Sequence, residues 1–240
     1  MGDTRQQLID MIVTDQAFDH HRDEIEPMQL EAADVLFQDL RRKIPVLDRR
    51  ARETGVDRIS RFEDIVPLLF AHTVYKSYPE SFVEKGRWDR MLVWLTTLSA
   101  DDLTGIDVAG VNDADDWLDR LRANGCTVLA TSGSSGKCSF LPASNADRAL
   151  KYRHFANATG WPHARANNQY EVFWTGPIEG PNSAIEAGQM MRDQWARPGC
   201  FHHLIDEPLR ITDVAAGAAF TRRMREGKAT PSEIEAFGKK

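Results

Sequence analysis

Apolar positions recur along the chain in two rhythms, and the change between them falls near residue 125. Before it the spacing is helical. Residues 6–13 predict a short helix, and Met28, Val35, Leu36, Leu40 and Ile44 form a second, partial helical stripe. Pro27 suits the first position of that helix, and Pro45 ends it. Ser60 with Glu63 reads as a capping box opening a helix through Ile65 and Leu68, which Pro67 interrupts. From residue 70 to 125 aromatic residues crowd together: Tyr75, Tyr78, Phe82, Trp88, Trp94 and Trp117. Their pattern reads as packing where helices join a sheet, with residues 75–79 as an alternative binding turn. Asn112 or Asp113 can cap a helix carrying Trp117, Leu118 and Leu121, with Gly125 as its stop.

After Gly125 the pattern shortens to strand-like runs separated by helical ones. Cys126 to Ala130 and Cys138 to Pro142 are apolar runs of strand length, and Tyr170 to Trp174 is a third, closed by Gly176 and Pro177. Residues 200–205 read as a fourth strand. Helices are expected from Ser144 or Asn145 to about Ala158, over 183–196, over 211–225, and after a capping box at Thr230-Pro231-Ser232-Glu233. Such alternation predicts an α/β fold: a helical accessory region over 1–124, then a partial layered α/β sheet region over 125–240. In a layered sheet, ligands sit at strand ends, which is where the loop after Ala130 and the turn after Trp174 would lie.

The first of those loops carries the chemistry. Thr131, Ser132, Gly133, Ser134, Ser135, Gly136 and Lys137 stand between two apolar runs. The glycines permit positive φ, so that backbone N–H groups can converge on one point. Four hydroxyls add donors, and Lys137 adds a compact mobile cation. This set suits a polyphosphate. It is not the common P-loop: Thr131 stands where the first glycine belongs, Cys138 follows the lysine, and a strand rather than a helix comes next. A flexible Gly/Ser hairpin loop of no function is the bland alternative. The glycines also predict a loop poorly ordered without ligand.

Residues 131–139 resemble the signature loop of the adenylate-forming enzymes, the superfamily of acyl-CoA synthetases, luciferases and peptide-synthetase adenylation domains. The pattern there is Thr/Ser-Ser-Gly-Thr/Ser-Thr/Ser-Gly-Lys, usually followed by Pro, and Cys138 departs from it. Ser139 in place of a lysine is more similar to the branch of phenylacetate–CoA ligases and LuxE-type acyl-protein synthetases. The resemblance implies a nucleotide-binding sheet domain and attack of a carboxylic acid on the α-phosphorus of ATP, giving acyl-AMP and pyrophosphate. Transfer to a thiol such as coenzyme A would follow. Residues 131–137 would grip the β- and γ-phosphates, with Mg²⁺ sharing their charge. The alternative is a non-catalytic nucleotide- or acyl-binding module derived from such an enzyme. The family's Tyr-Gly-x-Thr-Glu stretch, its ribose-binding aspartate and its C-terminal lysine domain have no counterpart here, and Thr175-Gly176-Pro177 replaces its frequent histidine. The expectation is therefore the N-terminal part of a longer ligase, or a shortened relative. Taken alone, it would be inactive and prone to dock a missing segment or to self-associate.

Composition narrows the partners. The chain has 240 residues, 42% hydrophobic and 28% charged, with a formal net charge of −6, which disfavours a general nucleic-acid surface. No apolar run approaches membrane-spanning length, and no signal peptide opens the chain. Three cysteines at irregular spacing read as reduced cytoplasmic thiols. Cys138 beside Lys137 could be an activated nucleophile, although an apolar strand cysteine is commonly core. Cys200, His202 and His203 could ligate a metal, but strand alternation sends His203 to the other face. Asp101-Asp102 and Asp115-Asp116 read as helix-start charges.

Overall fold

The computed structural model describes residues 3–14, 16–131 and 137–237. The chain before residue 125 is helical: α1 (Thr4–Met11), α2 (Arg22–Lys43), α3 (Pro45–Thr54), a 3₁₀ segment (Phe62–Leu68), a short 3₁₀ turn (Val74–Lys76), α4 (Glu80–Glu84), α5 (Trp88–Thr96) and α6 (Ala114–Ala123). The rest alternates: β1 (Cys126–Ala130), β2 (Phe140–Ser144), α7 (Asn145–Ala158), β3 (Tyr170–Trp174), α8 (Ser183–Met190), a π-helical turn (Met191–Trp195), β4 (Ala196–His203), α9 (Ile211–Arg225) and α10 (Pro231–Phe237). This is a mixture of helices and small sheets, α/β in general terms.

Several boundaries differ from the sequence reading for local reasons. Pro27 lies inside α2, not at its start, because Arg22 opens the helix one and a half turns earlier. Pro27 has no N–H to donate to the Asp23 carbonyl, so the helix forgoes one backbone bond there and continues to Lys43. Ser60 and Glu63 do not form the capping box. The Asp64 carboxylate instead accepts the Ser60 and Arg61 N–H groups at 2.9 and 3.2 Å, and a 3₁₀ segment follows in place of an α-helix. The helix expected over 183–196 is α-helical to Met190 and finishes as the π-helical turn to Trp195, and only its last residue, Ala196, opens β4 instead. Trp195 and Ala196 are buried against Val172, so burial on β3 takes precedence over helical continuation.

Other signals carry through directly. Asp113 caps α6 by accepting the Asp116 N–H at 2.9 Å, and Gly125, at φ +87°, takes the left-handed turn that leads into β1. Ala114, Trp117, Leu118 and Leu121 form one buried face of α6. Ser144 and Asp147 cap α7 reciprocally, and Thr230 and Glu233 do the same at α10.

The described strands form two separate two-stranded sheets instead of one layered sheet. β1 and β2 pair antiparallel as a hairpin, with Cys126 opposite Ser144 and Ala130 opposite Phe140. β3 and β4 pair in parallel through the α8 crossover, with a register shift near Tyr170 where Pro198 and Gly199 (φ +78°) break the ladder. The Ala130 N–H of β1 donates to the carbonyl of Pro181, in the connection between β3 and α8, at 2.7 Å. Gly188 allows α8 to close on β3, because a β-carbon there would fall 2.6 Å from the Trp174 ring.

The largest core lies under the hairpin. Tyr78, Trp88, Met91, Leu95, Trp117, Leu121, Val128 and Phe140 are all buried in it. Trp117 meets Phe140 edge-on at 5.5 Å and stacks near Trp88 at 6.1 Å, which fixes ring geometry as well as burying area. A second, smaller core (Phe37, Ala51, Ile59, Leu68) joins α2, α3 and the 3₁₀ segment.

Candidate functional site

The loop's neck is built by the hairpin. Beyond the last ladder pair, the Thr131 N–H donates to the Ser139 carbonyl at 3.1 Å, and the Ser139 N–H donates to Thr131 Oγ1 at 3.0 Å. Thr131 therefore closes the neck with its backbone, and its exposed hydroxyl accepts a bond while keeping its own proton to donate. Ser132, Gly133, Ser134, Ser135 and Gly136, and the expected poor order of that segment, lie outside the described residues.

Lys137 is half-buried at the exit of the loop. The sequence suggests no structural partner for it, but the fold supplies one from 59 residues away. Its ammonium donates to the Tyr78 carbonyl and sits 4.2 Å from the centre of the Tyr78 ring. Burial pushes the Lys137 ammonium pKa down, and the nearby Glu80 charge works against that shift. Tyr78 is itself pinned, because its hydroxyl donates to the Cys138 carbonyl at 2.9 Å. Burial raises its phenol pKa well above the usual value. The segment 75–79 thus serves as the anchor of the loop's far end. Sequence reading singled it out, but nothing local connects it to Lys137.

Next to this anchor lies a cleft of about 410 Å³, walled by Tyr78, Trp88, Phe140 and Ile211, with Lys137 and Glu80 among its polar groups. α9 forms one side, and its start is held by Asp115. That carboxylate accepts the Ile211 and Thr212 N–H groups at 2.7 and 3.0 Å and the Thr212 hydroxyl at 2.6 Å. Asp115 therefore caps a helix 96 residues away in sequence as well as lying in the first turn of its own.

Cys126 and Cys138 are core residues, and Cys200 is only partly buried. Cys138 is buried, and burial raises its thiol pKa despite the opposing Lys76 charge, so it is a poor nucleophile. Burial pushes Cys126 up to about 11. Cys200 accepts a contact from Arg197 Nε at 3.2 Å, while His202 pairs with Glu171 at 3.0 Å and stacks on Phe173. His203 instead faces the Ile205 carbonyl at 3.1 Å, so these three side chains point to different partners. Among the described residues no group of three or more His, Cys, Asp or Glu is placed to hold a metal, and no helix is long and apolar enough to cross a membrane.

No protein-family model matches this chain, and no curated protein or solved structure matches it either.

Proposed function

We propose that this chain provides the nucleotide-facing part of an acyl-adenylate-forming ligase. The observation that carries the reading is the closed hairpin neck, where Thr131 and Ser139 are bonded in both directions. A hydroxyl- and glycine-rich segment between bonded ends offers hydroxyl and backbone donors to phosphate oxygens, which is what a polyphosphate grip requires. Thr131, Ser132, Gly133, Ser134, Ser135, Gly136 and Lys137 hold the β- and γ-phosphates of ATP in this reading. The donor set fits phosphate oxygens. Mg²⁺ would offset phosphate charge at this site. The reaction is attack of a small carboxylic acid on the α-phosphorus, with pyrophosphate leaving, after which a thiol such as coenzyme A takes the acyl group and AMP leaves. The two small sheets are then pieces of a layered nucleotide-binding domain, with Ala130 of the hairpin bonded to Pro181 in the connection that leaves β3.

A non-catalytic nucleotide- or acyl-binding module is the second reading. It is favoured by one observation: the Lys137 ammonium is already engaged by Tyr78. ATP–pyrophosphate exchange with a panel of carboxylic acids, together with ATP binding measured with and without Mg²⁺, separates the two. Exchange that falls at least about tenfold in Lys137→Ala, on the scale of one lost charge-assisted contact, supports the ligase. Mg²⁺-dependent ATP binding without exchange supports the module. ATP affinity and exchange both unchanged in Lys137→Ala would remove the loop from either role.

A further inference from the structure

Strand alternation turns Cys126, Val128 and Ala130 of β1 into the aromatic core and leaves Thr127 and Leu129 on the opposite face. On that face is a small cavity of about 130 Å³, lined by Thr127, Arg122, Arg148, Asn182, Glu186 and Gln189 among others. Thr127 is only 4% exposed, and its hydroxyl has no hydrogen-bond partner among the described residues. A buried hydroxyl left unpaired is costly, and valine would fill the same space without that cost. The polar atom at this point therefore asks for a ligand.

The surrounding charges indicate which kind. Glu186, also 4% exposed, is bonded by Arg148 Nε at 2.9 Å and by the Lys151 ammonium. Two cations on one carboxylate leave a net positive charge beside the cavity. Arg122 adds another, and its partner Asp119, at 2.9 Å, is exposed to water and compensates it weakly. The groups still free to bond include several donors, beside the acceptors Gln189 Oε1 and the Glu186 carboxylate. The Asn182 Oδ1 already accepts the Ala184 N–H at 2.7 Å, which leaves its amide N–H₂, and the remaining guanidinium N–H groups of Arg122 and Arg148 join the Thr127 hydroxyl. The Gln189 amide nitrogen is committed to the Ile178 carbonyl at 2.9 Å. The volume equals that of about four water molecules, enough for a phosphate group and too small for a nucleoside.

We propose that this cavity is a binding site for a phosphate-class oxyanion, held by the Arg122 and Arg148 guanidinium groups, the Thr127 hydroxyl and the Asn182 amide. Free phosphate and the phosphoryl end of a small monoester share that chemistry. The site does not depend on the nucleotide reading of the loop, because it lies on the face of β1 turned away from the core that holds Tyr78, the anchor of Lys137.

The test is calorimetric titration of the full chain with inorganic phosphate and with glycerol 3-phosphate, using chloride and acetate at matched ionic strength as controls. Saturable one-to-one phosphate binding is expected, with chloride and acetate silent. Thr127→Val, which keeps the shape of the side chain, and Arg122→Gln, at a partly exposed position, should each weaken binding about fivefold to tenfold. Lys137→Ala should leave it unchanged. Equal affinity for the monoester supports the site with the phosphoryl end as its ligand, and a strong preference for the free ion supports it as a phosphate site. The proposal is overturned by an absence of saturable phosphate binding to the folded chain. Binding untouched by both cavity variants, or abolished by Lys137→Ala, overturns it as well.

Discussion

The two sheets of this protein have the same number of strands and are stabilised by different means. The β1–β2 hairpin lies on the large aromatic core, and Cys126, Val128, Ala130 and Phe140 are nearly inaccessible. The β3–β4 ribbon buries Val172, Trp195 and Ala196 on one side and leaves Phe173 72% exposed on the other. A two-stranded sheet is marginal by itself, so each takes its stability from what its face rests on. For the hairpin that support is packed rings. For the ribbon it is a small apolar cluster together with the ion cluster of Glu186, Arg148 and Lys151, which ties the α8 crossover to α7. The loop that bears the candidate chemistry grows from the better-supported sheet. A rigid base of that kind positions donors more accurately than an exposed ribbon would.

The contrast is open to direct attack. Trp117→Ala removes a fully buried indole from the hairpin's core and should cost about 3–5 kcal/mol in urea unfolding. Trp195→Ala, from the smaller cluster, should cost distinctly less; equal losses would show that the two sheets share one cooperative core. Asp115→Ala should cost about 1–2 kcal/mol through lost capping of α9. Hydrogen exchange should speed up at residues 211–214 while the ribbon stays unaffected. Tyr78→Phe deletes the bond to the Cys138 carbonyl and should cost about 1 kcal/mol, with faster exchange at the hairpin neck. Unchanged exchange there would mean that the neck does not depend on its anchor.

The smallest effect expected is a pH dependence confined to the ribbon. Burial alone would raise the Glu186 carboxyl pKa, but the hydrogen bonds and charges of Lys151 and Arg148 outweigh it and hold the pKa below the ordinary value. A depressed folded-state pKa gives stability that is complete above the unfolded value, about 4.3 for glutamate, and is lost as pH falls through the folded value. Acid should therefore loosen β3–β4 before β1–β2, as read by amide exchange between pH 5 and 3 (about the carboxylate range). Glu186→Gln should lack this acid-dependent step. A variant that loses ribbon protection at the same pH as the parent would assign the step to other carboxylates.

Local rules were sufficient wherever a signal acts within a few residues. The strand over Tyr170–Trp174, the α6 cap at Asp113 and its stop at Gly125, the α7 start at Ser144 and the Thr230–Glu233 box were all legible, because a cap or a glycine stop is decided by backbone groups a turn away. The hydroxyl-rich loop was legible as composition, and so were its flanking apolar runs. A hairpin across the loop was legible only as an alternative, and that β3 pairs elsewhere was not, since periodicity gives a strand's faces but not its neighbour. The end of the helix begun at Ser183 was decided by the burial of Trp195 and Ala196 on Val172, a tertiary gain that helix propensity cannot register. The same holds for the site. Lys137 reads as a free cation in the sequence and becomes an anchored one only when folding brings the Tyr78 carbonyl and ring to it. Asp115 likewise reads as a first-turn charge and becomes the cap of a distant helix. The sequence by itself determined the elements and the chemistry of the loop. The tertiary structure decided which charges have partners, because pairing depends on distance in space, and separations of 59 and 96 residues leave no local trace.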